Sequence, residues 1–262
     1  MAAARAMWKG TLKFGKSKVN VKLYSAVKEH TIHFRLLHKT DKQPVKQQMI
    51  DSDTGDPVEY KDAQKAFPVQ RNRMVVLEKE ELEKLEPKDS RDIEVTRFVD
   101  PTDIDHRWYE RAYYLGPDGD TSAYFALAEA LEKKNKEGVA RWVMRKKDYV
   151  GALRVHEGYL ALIVLRYAEE VIDASALTAP EGRPLQKKEI AMGEQLVSAL
   201  AGKFDPAEYR DEYRDRVMDL INTKARGGKV KVTKFRPKKT SDDAVTNALA
   251  ASLAGMRKKK SA

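Results

Sequence analysis

Residues 10–17 read GTLKFGKS, which fits the nucleotide-binding loop pattern G-x-x-x-x-G-K-[ST] letter for letter. A working loop of that kind follows a buried parallel strand and opens a helix whose N-terminus faces the phosphates. Here only nine residues precede Gly10, the four central positions are Thr-Leu-Lys-Phe, and Ser17 is followed by KVNVKLY. Both sides are strand material. Trp8, Leu12 and Phe14 alternate with Lys9, Thr11 and Lys13. After Gly15 the parity flips, with Val19, Val21 and Leu23 apolar and Lys18, Asn20 and Lys22 polar. The stretch therefore reads as two half-buried strands joined by a bend or bulge at a glycine.

Downstream, Ile32, Phe34 and Leu36 continue the alternation as a third strand, while the polar, turn-rich residues 39–74 read as long loops with at most short strands. Strands are expected at 74–77, 93–99 and 108–115, with a short acidic helix stopping at Pro87. The spacing of Tyr124, Leu127 and Leu131 predicts a helix over 121–137, with Lys133, Lys134 and Lys136 near its end. Residues 139–145 alternate again, putting Arg141 and Arg145 opposite Trp142 and Met144. Residues 153–155, the turn His156-Glu157-Gly158 and 159–166 read as a hairpin.

Past residues 179–184 the pattern becomes helical. Ile190, Leu196, Val197 and Leu200 form one stripe. Asp205-Pro206-Ala207-Glu208 reads as a capped helix start, with Tyr209, Tyr213, Val217, Leu220 and Ile221 as the apolar face and Gly227-Gly228 as the stop. Many strands followed by two helices predict an α+β chain built on an antiparallel barrel or sheet with a helical arm. The expected divisions are a core over 1–179, the arm over 180–228 and a basic, largely disordered tail over 229–262, with a possible short helix at 241–255.

Charge is distributed unevenly along the 262 residues, whose net value is +10. From Lys224 onward there are 12 Lys/Arg against 2 Asp, which leaves 38 of the 50 basic and 38 of the 40 acidic residues in the first 223. A neutral body with a basic tail points to nucleic acid, or less often to an anionic membrane surface. Residues 1–28 carry seven bases and no acid, whereas 78–94 carry eight acids against four bases. Such a body can bind a polyanion on one side and repel it from the other. Cysteine is absent, which excludes disulfides and thiolate metal sites and suits a reducing cytoplasm. The longest apolar run, residues 160–165, is too short to span a bilayer, and MAAARAMWKG lacks the apolar run of a secretory signal.

No catalytic constellation emerges. His30, His33 and His38 have loosely ligand-like spacing, but His33 falls opposite Ile32 and Phe34 and has no cysteine or obvious carboxylate beside it. Residues 51–56, DSDTGD, resemble a calcium loop that lacks its twelfth-position glutamate, where Asp62 stands instead. Neither metal nor cofactor is expected.

Several blocks, in order, resemble the bacterial Ku family of DNA-end-binding proteins: WKGTLKFGKSKVNVKLYSA (8–26), HFRLLH (33–38), RFVD (97–100), YERAYYLGPD (109–118), EGVARWVMR (137–145), LALIVLRYAEEV (160–171) and FDPAEYRDEYR (204–214). The resemblance covers about residues 5–225. It implies a β-barrel core with bridging loops and a homodimeric ring around duplex DNA threaded on from a broken end. It also implies recruitment of an ATP-dependent DNA ligase, ligase D, for non-homologous end joining, with no activity of the chain's own and a nucleoid-associated, cytoplasmic location. There are departures. The family's common C-x-x-C near residues 50–53 is missing, Lys65-Ala66-Phe67-Pro68 replaces a common K-G-Y-E, and residues 14–21 read FGKSKVNV where F-G-L-V-N-V-P-V is usual.

A ring that accepts any sequence contacts phosphate and sugar rather than base edges. The candidate contacts in the body are Lys13, Lys16, Lys18, Lys22, Arg35, Lys39, Lys46, Arg71, Arg73 and Arg141. In the tail they are Lys229, Lys231, Lys234, Arg236, Lys238, Lys239, Arg257, Lys258, Lys259 and Lys260. The competing reading is a nucleoid-type DNA-binding protein acting mainly through this tail.

Overall fold

In the computed structural model, residues 5–71, 73–178 and 186–228 are described; the tail and its candidate helix and lysines lie outside them. By contacts the chain divides into two units, Met1–Leu177 and Thr178–Ala262. The first holds β1 (Trp8–Phe14), β2 (Ser17–Ser25), β3 (Met49–Ile50), β4 (Pro57–Val58), β5 (Lys65–Gln70), β6 (Arg73–Leu77), α1 (Lys79–Leu85) and β7 (Asp92–Val99). It continues with β8 (Tyr109–Pro117), α2 (Thr121–Lys134), β9 (Glu137–Met144), β10 (Lys147–His156) and β11 (Tyr159–Leu165).

Seven of these strands close a barrel in the order β1-β2-β8-β11-β10-β9-β7. The pairings are antiparallel except at the seam, where β7 runs parallel to β1 with Leu12 beside Ile93. A parallel pair needs a long connection, and residues 26–91 supply it: the chain leaves the barrel after β2 and re-enters beside β1. Gly10 permits that seam, because a β-carbon there would lie 2.8 Å from the Arg91 carbonyl oxygen and closer still to the Trp8 ring.

GTLKFGKS is the end of β1, a turn and the start of β2. Gly15 has φ +58° and Phe14 pairs with Ser17, so the expected bend or bulge is a two-residue hairpin turn with glycine at its first central position. Arg145 and Lys146, both at positive φ, make the β9–β10 turn, and Glu157 and Gly158 make the β10–β11 turn. The alternation read from the sequence sends Leu12, Val21, Leu23, Ile93, Leu115, Trp142, Leu153, Leu160 and Leu162 into one core.

Helix α2 packs on β2, β10 and β11 and completes that core with Tyr124, Leu127, Ala128 and Leu131. Tyr124 is fully buried; its hydroxyl donates to the Leu115 carbonyl and accepts from the Leu160 N–H at 2.8 Å. The helix starts at Asp120, whose carboxylate accepts from the Ser122 and Ala123 N–H groups, and ends at Asn135 in the left-handed region.

The excursion over 26–91 departs from expectation. No strand forms at 32–36; the segment is irregular up to a single bridge between Leu37 and Pro44, and Phe34 is 68% exposed. The alternation there has no neighbouring strand to pair with, and the chain folds into a tight turn, with the His38 N–H donating to the Gln43 carbonyl at 2.8 Å. Conversely, β5 pairs with β6 in a ribbon of its own, and β3 with β4 in a smaller one.

In the second unit, α3 (Lys187–Leu200) and α4 (Glu212–Ala225) form, but the second helix starts later than Asp205. Asp205 caps a single 3₁₀ turn, Pro206–Glu208, by accepting from the Ala207 N–H. The chain then turns extended at Tyr209, whose ring stacks on Phe204 with centroids 5.4 Å apart. Asp211 provides the working cap of α4, accepting from the Arg214 N–H at 2.9 Å.

Candidate nucleic-acid interface

The period-two geometry that buries Leu12 and Val21 must expose their neighbours, and in the β1–β2 hairpin those neighbours are cations. Lys9 lies opposite Lys22, Thr11 opposite Asn20 and Lys13 opposite Lys18. Lys16 stands in the turn. The barrel's outer wall thus carries two rungs of paired lysines around a polar rung, in which Thr11 donates to the Asn20 side-chain oxygen at 2.9 Å. Four residues separate the lysine rungs, about 14 Å along a strand, comparable to the roughly 12 Å width of the DNA major groove.

Like charges directly across a strand pair destabilise it, and carboxylates offset part of that cost. Asp118, just past β8, lies 3.0 Å from the Lys9 ammonium and 2.8 Å from that of Lys22. Hydrogen bonds from Lys22 and Lys9 hold the Asp118 carboxyl below the usual carboxylate range, and the hydrogen bond to Asp118 raises Lys22. At the other rung Lys13 pairs with Asp92. Among the described residues Lys16 and Lys18 have no ion pair.

The other candidates are dispersed. Arg35, Lys39 and Lys46 lie exposed on the excursion, and Arg71 and Arg73 stand at the tip of the β5–β6 ribbon. Arg141 is on the outer face of β9, opposite Glu94 of β7. The structure therefore brings Lys13, Lys16, Lys18 and Lys22 onto one hairpin and leaves the rest apart. Lys9 was missed as a candidate, although it shares the parity of Lys13 and needed only that rule to be found. Asp92 and Asp118 had no local signal, since each meets its lysines across many residues of chain.

The acidic stretch is divided: Asp92 and Glu94 lie on β7 beside Lys13 of β1, and its earlier acids lie on and around α1. α1 carries Glu80, Glu81 and Glu83, and the following Glu86 pairs at 2.7 Å with Lys146 of the β9–β10 turn. Lys146 is raised chiefly by that hydrogen bond.

One further polar group is buried. Glu137 is 2% exposed; its Oε2 accepts from the Tyr109 hydroxyl at 2.8 Å, and its Oε1 lies 3.3 Å from Arg154 Nε without a hydrogen bond. Burial, then Glu137, push Tyr109 up to about 12. The adjoining cavity is about 110 Å³, well below the size of a small-molecule pocket. Among the described residues no three His, Asp or Glu side chains gather to hold a metal ion, and no helix is long and apolar enough to cross a membrane.

A family model described as the Ku70/Ku80 beta-barrel domain matches residues 13–196. The chain belongs to the Ku family. Its curated Ku relatives match over nearly their whole length. "Non-homologous end joining protein Ku 2" of Geotalea uraniireducens is 38% identical over 252 residues, covering 96% of this chain and 98% of the relative. A "Non-homologous end joining protein Ku" of Anaeromyxobacter sp. is 35% identical, covering 98% and 87%, and one of Archaeoglobus fulgidus is 32% identical, covering 87% and 91%. The Ku match begins at Lys13 inside β1 and takes in every later strand of the barrel, so Lys13, Lys16, Lys18 and Lys22 fall within the matched region and Lys9 precedes it.

Proposed function

We propose that this chain binds ends of double-stranded DNA, without reading sequence, as a homodimeric ring in non-homologous end joining. The observation that carries the proposal is the lysine ladder on the outer wall of a Ku barrel. Two like-charge rungs on one hairpin weaken the free protein and suit a polyanion. Lysines on the solvent face of strands reach phosphates and leave base edges unread. The ring threads onto a broken end and recruits an ATP-dependent DNA ligase, ligase D. The chain acts as a scaffold, with no catalysis of its own, at the nucleoid.

Membership of the Ku family supports the dimer, and so does the ribbon. A two-stranded ribbon is marginal in water by itself, yet Phe67 is 63% and Met74 68% exposed. A partner subunit covers them. In this reading residues 1–179 form the ring, 180–228 an arm, and 229–262 a salt-sensitive contact that holds DNA beyond it.

The concentration of positive charge past Lys224 favours a second reading, a nucleoid-type binder acting through its tail. Binding to a linear duplex against the same duplex closed into a covalent circle separates the two. The ring favours the linear form, and a chain ending at Gly228 keeps that preference. Equal binding to both forms overturns the ring.

A further inference from the structure

The lysine ladder is already occupied. A single carboxylate, Asp118, spans the two ammonium groups of the Lys9–Lys22 rung, at 3.0 and 2.8 Å, and is about a quarter exposed itself. Its backbone does not depend on those pairs: the Asp118 N–H donates to the Asn20 carbonyl at 3.0 Å, and Asp120, two residues on, caps α2. The side chain can let go of both lysines while the barrel and helix stay in place.

We propose that Asp118 is an internal stand-in for phosphate, holding Lys9 and Lys22 where the DNA backbone takes them and being displaced by that backbone on binding. The inference rests on the DNA-binding reading above and deepens it. Each phosphate that reaches the rung must compete with a tethered carboxylate, so the net gain per contact is small. Shallow contacts suit a ring that must move along duplex after threading, because sequence-independent phosphate contacts permit sliding only while each remains easily broken. Asp92 does the same for Lys13 at the other rung, leaving Lys16 and Lys18 as the uncompeted cations of the hairpin.

The test uses the full chain and a blunt linear duplex at fixed moderate salt. Asp118→Asn keeps the shape and the backbone hydrogen bond but removes the competing charge. It should bind about threefold to tenfold tighter and dissociate more slowly, as expected when two competing surface ion pairs are lost. Glu80→Gln, which changes net charge equally on the exposed face of α1, should shift affinity by less than about twofold, the long-range screened effect alone. An Asp118→Asn affinity no higher than that of Glu80→Gln overturns the proposal. So does a gain that persists when Lys9 and Lys22 are both alanine, since the effect then bypasses the rung. Should Asp118→Asn fail to fold, carboxyl-labelled unaltered protein gives the answer. Asp118 should titrate below the usual range when free and return toward it on DNA, and a carboxyl that stays low on DNA overturns displacement. A chain that binds linear and circular duplex equally fails the ring reading but leaves this exchange open to the same measurements, so the two failures are distinguishable.

Discussion

The barrel and the excursion over 26–91 are built from similar strands with opposite fates. β11, YLALIVL, and β6, RMVVL, are both apolar β-formers, yet Leu160 and Leu162 are fully buried while Met74 and Val76 are half exposed or more. Strand composition does not decide burial; closure does. Seven strands that meet edge to edge, with α2 packed on three of them, enclose a core, and a two-stranded ribbon has no second layer to close against. The barrel thus encloses its own core, whereas the β5–β6 ribbon of the excursion leaves Phe67 and Met74 exposed. The same contrast governs charge. On the barrel wall Lys13, Lys16, Lys18 and Lys22 are held together by strand pairing, whereas Arg35, Lys39 and Lys46 on the excursion share no such frame.

The largest effect should follow from breaking closure at the seam. Leu12→Ala removes a fully buried side chain beside Ile93. It should cost about 2–5 kcal/mol of unfolding free energy in denaturant titration. A loss below about 1 kcal/mol would mean that the parallel seam is not part of the core.

Tyr124→Phe comes next. It leaves the Leu115 carbonyl and the Leu160 N–H without their shared partner. About 1–3 kcal/mol should be lost, and amide exchange at Leu160 should rise ahead of exchange elsewhere in β11.

Alkaline pH gives a smaller and graded effect. Tyr109 is pushed up to about 12 in the folded chain, against about 10 when unfolded. Between those values the folded state keeps a proton that the unfolded state has released. Its contribution is therefore intact below about pH 10 and falls as pH rises toward 12. Tyr109→Phe should flatten that part of the stability curve; an unchanged slope would mean that Tyr109 is not the group held protonated by burial and Glu137.

On the excursion, the double change Phe67→Ser and Met74→Ser should move barrel stability by no more than about 0.5 kcal/mol, yet shift the chain from dimer to monomer in sedimentation. A dimer that survives would mean that the ribbon is covered by something other than a partner subunit.

These contrasts also explain what the sequence disclosed. Alternation in residues 8–25 sorted Leu12, Val21 and Leu23 inward and the lysines outward because a strand's period is a local property. The barrel's strands and the helices α1, α2 and α3 were legible on the same grounds, while closure into a barrel rather than an open sheet came only from the family resemblance, which rested on many such blocks in order. Ile32, Phe34 and Leu36 carry the same alternation but form no strand, since pairing needs a neighbour that sequence does not name. β5 was hidden by Pro68 and by a ribbon with no buried face to impose a pattern. Asp205-Pro206 resembled a helix start and makes one turn, because Asp211 offers the cap that α4 uses. Of the site, Lys13, Lys18 and Lys22 were legible from parity, Lys16 from its place at the bend, and so in principle was Lys9 from parity. Asp92 and Asp118, which set the charge of that face, lie 79 residues from Lys13 and 96 from Lys22, and only the fold brings them there.

The central claim is that a Ku barrel bearing this ladder closes around duplex loaded from an end. The most direct measurement compares the full-length chain on one duplex in linear form and as a covalently closed circle of the same sequence, across a salt series. The account predicts a clear preference for the linear form at every salt concentration, lost when the duplex ends are blocked by bulky groups before mixing. Equal affinity for line and circle, with blocked ends making no difference, would contradict it.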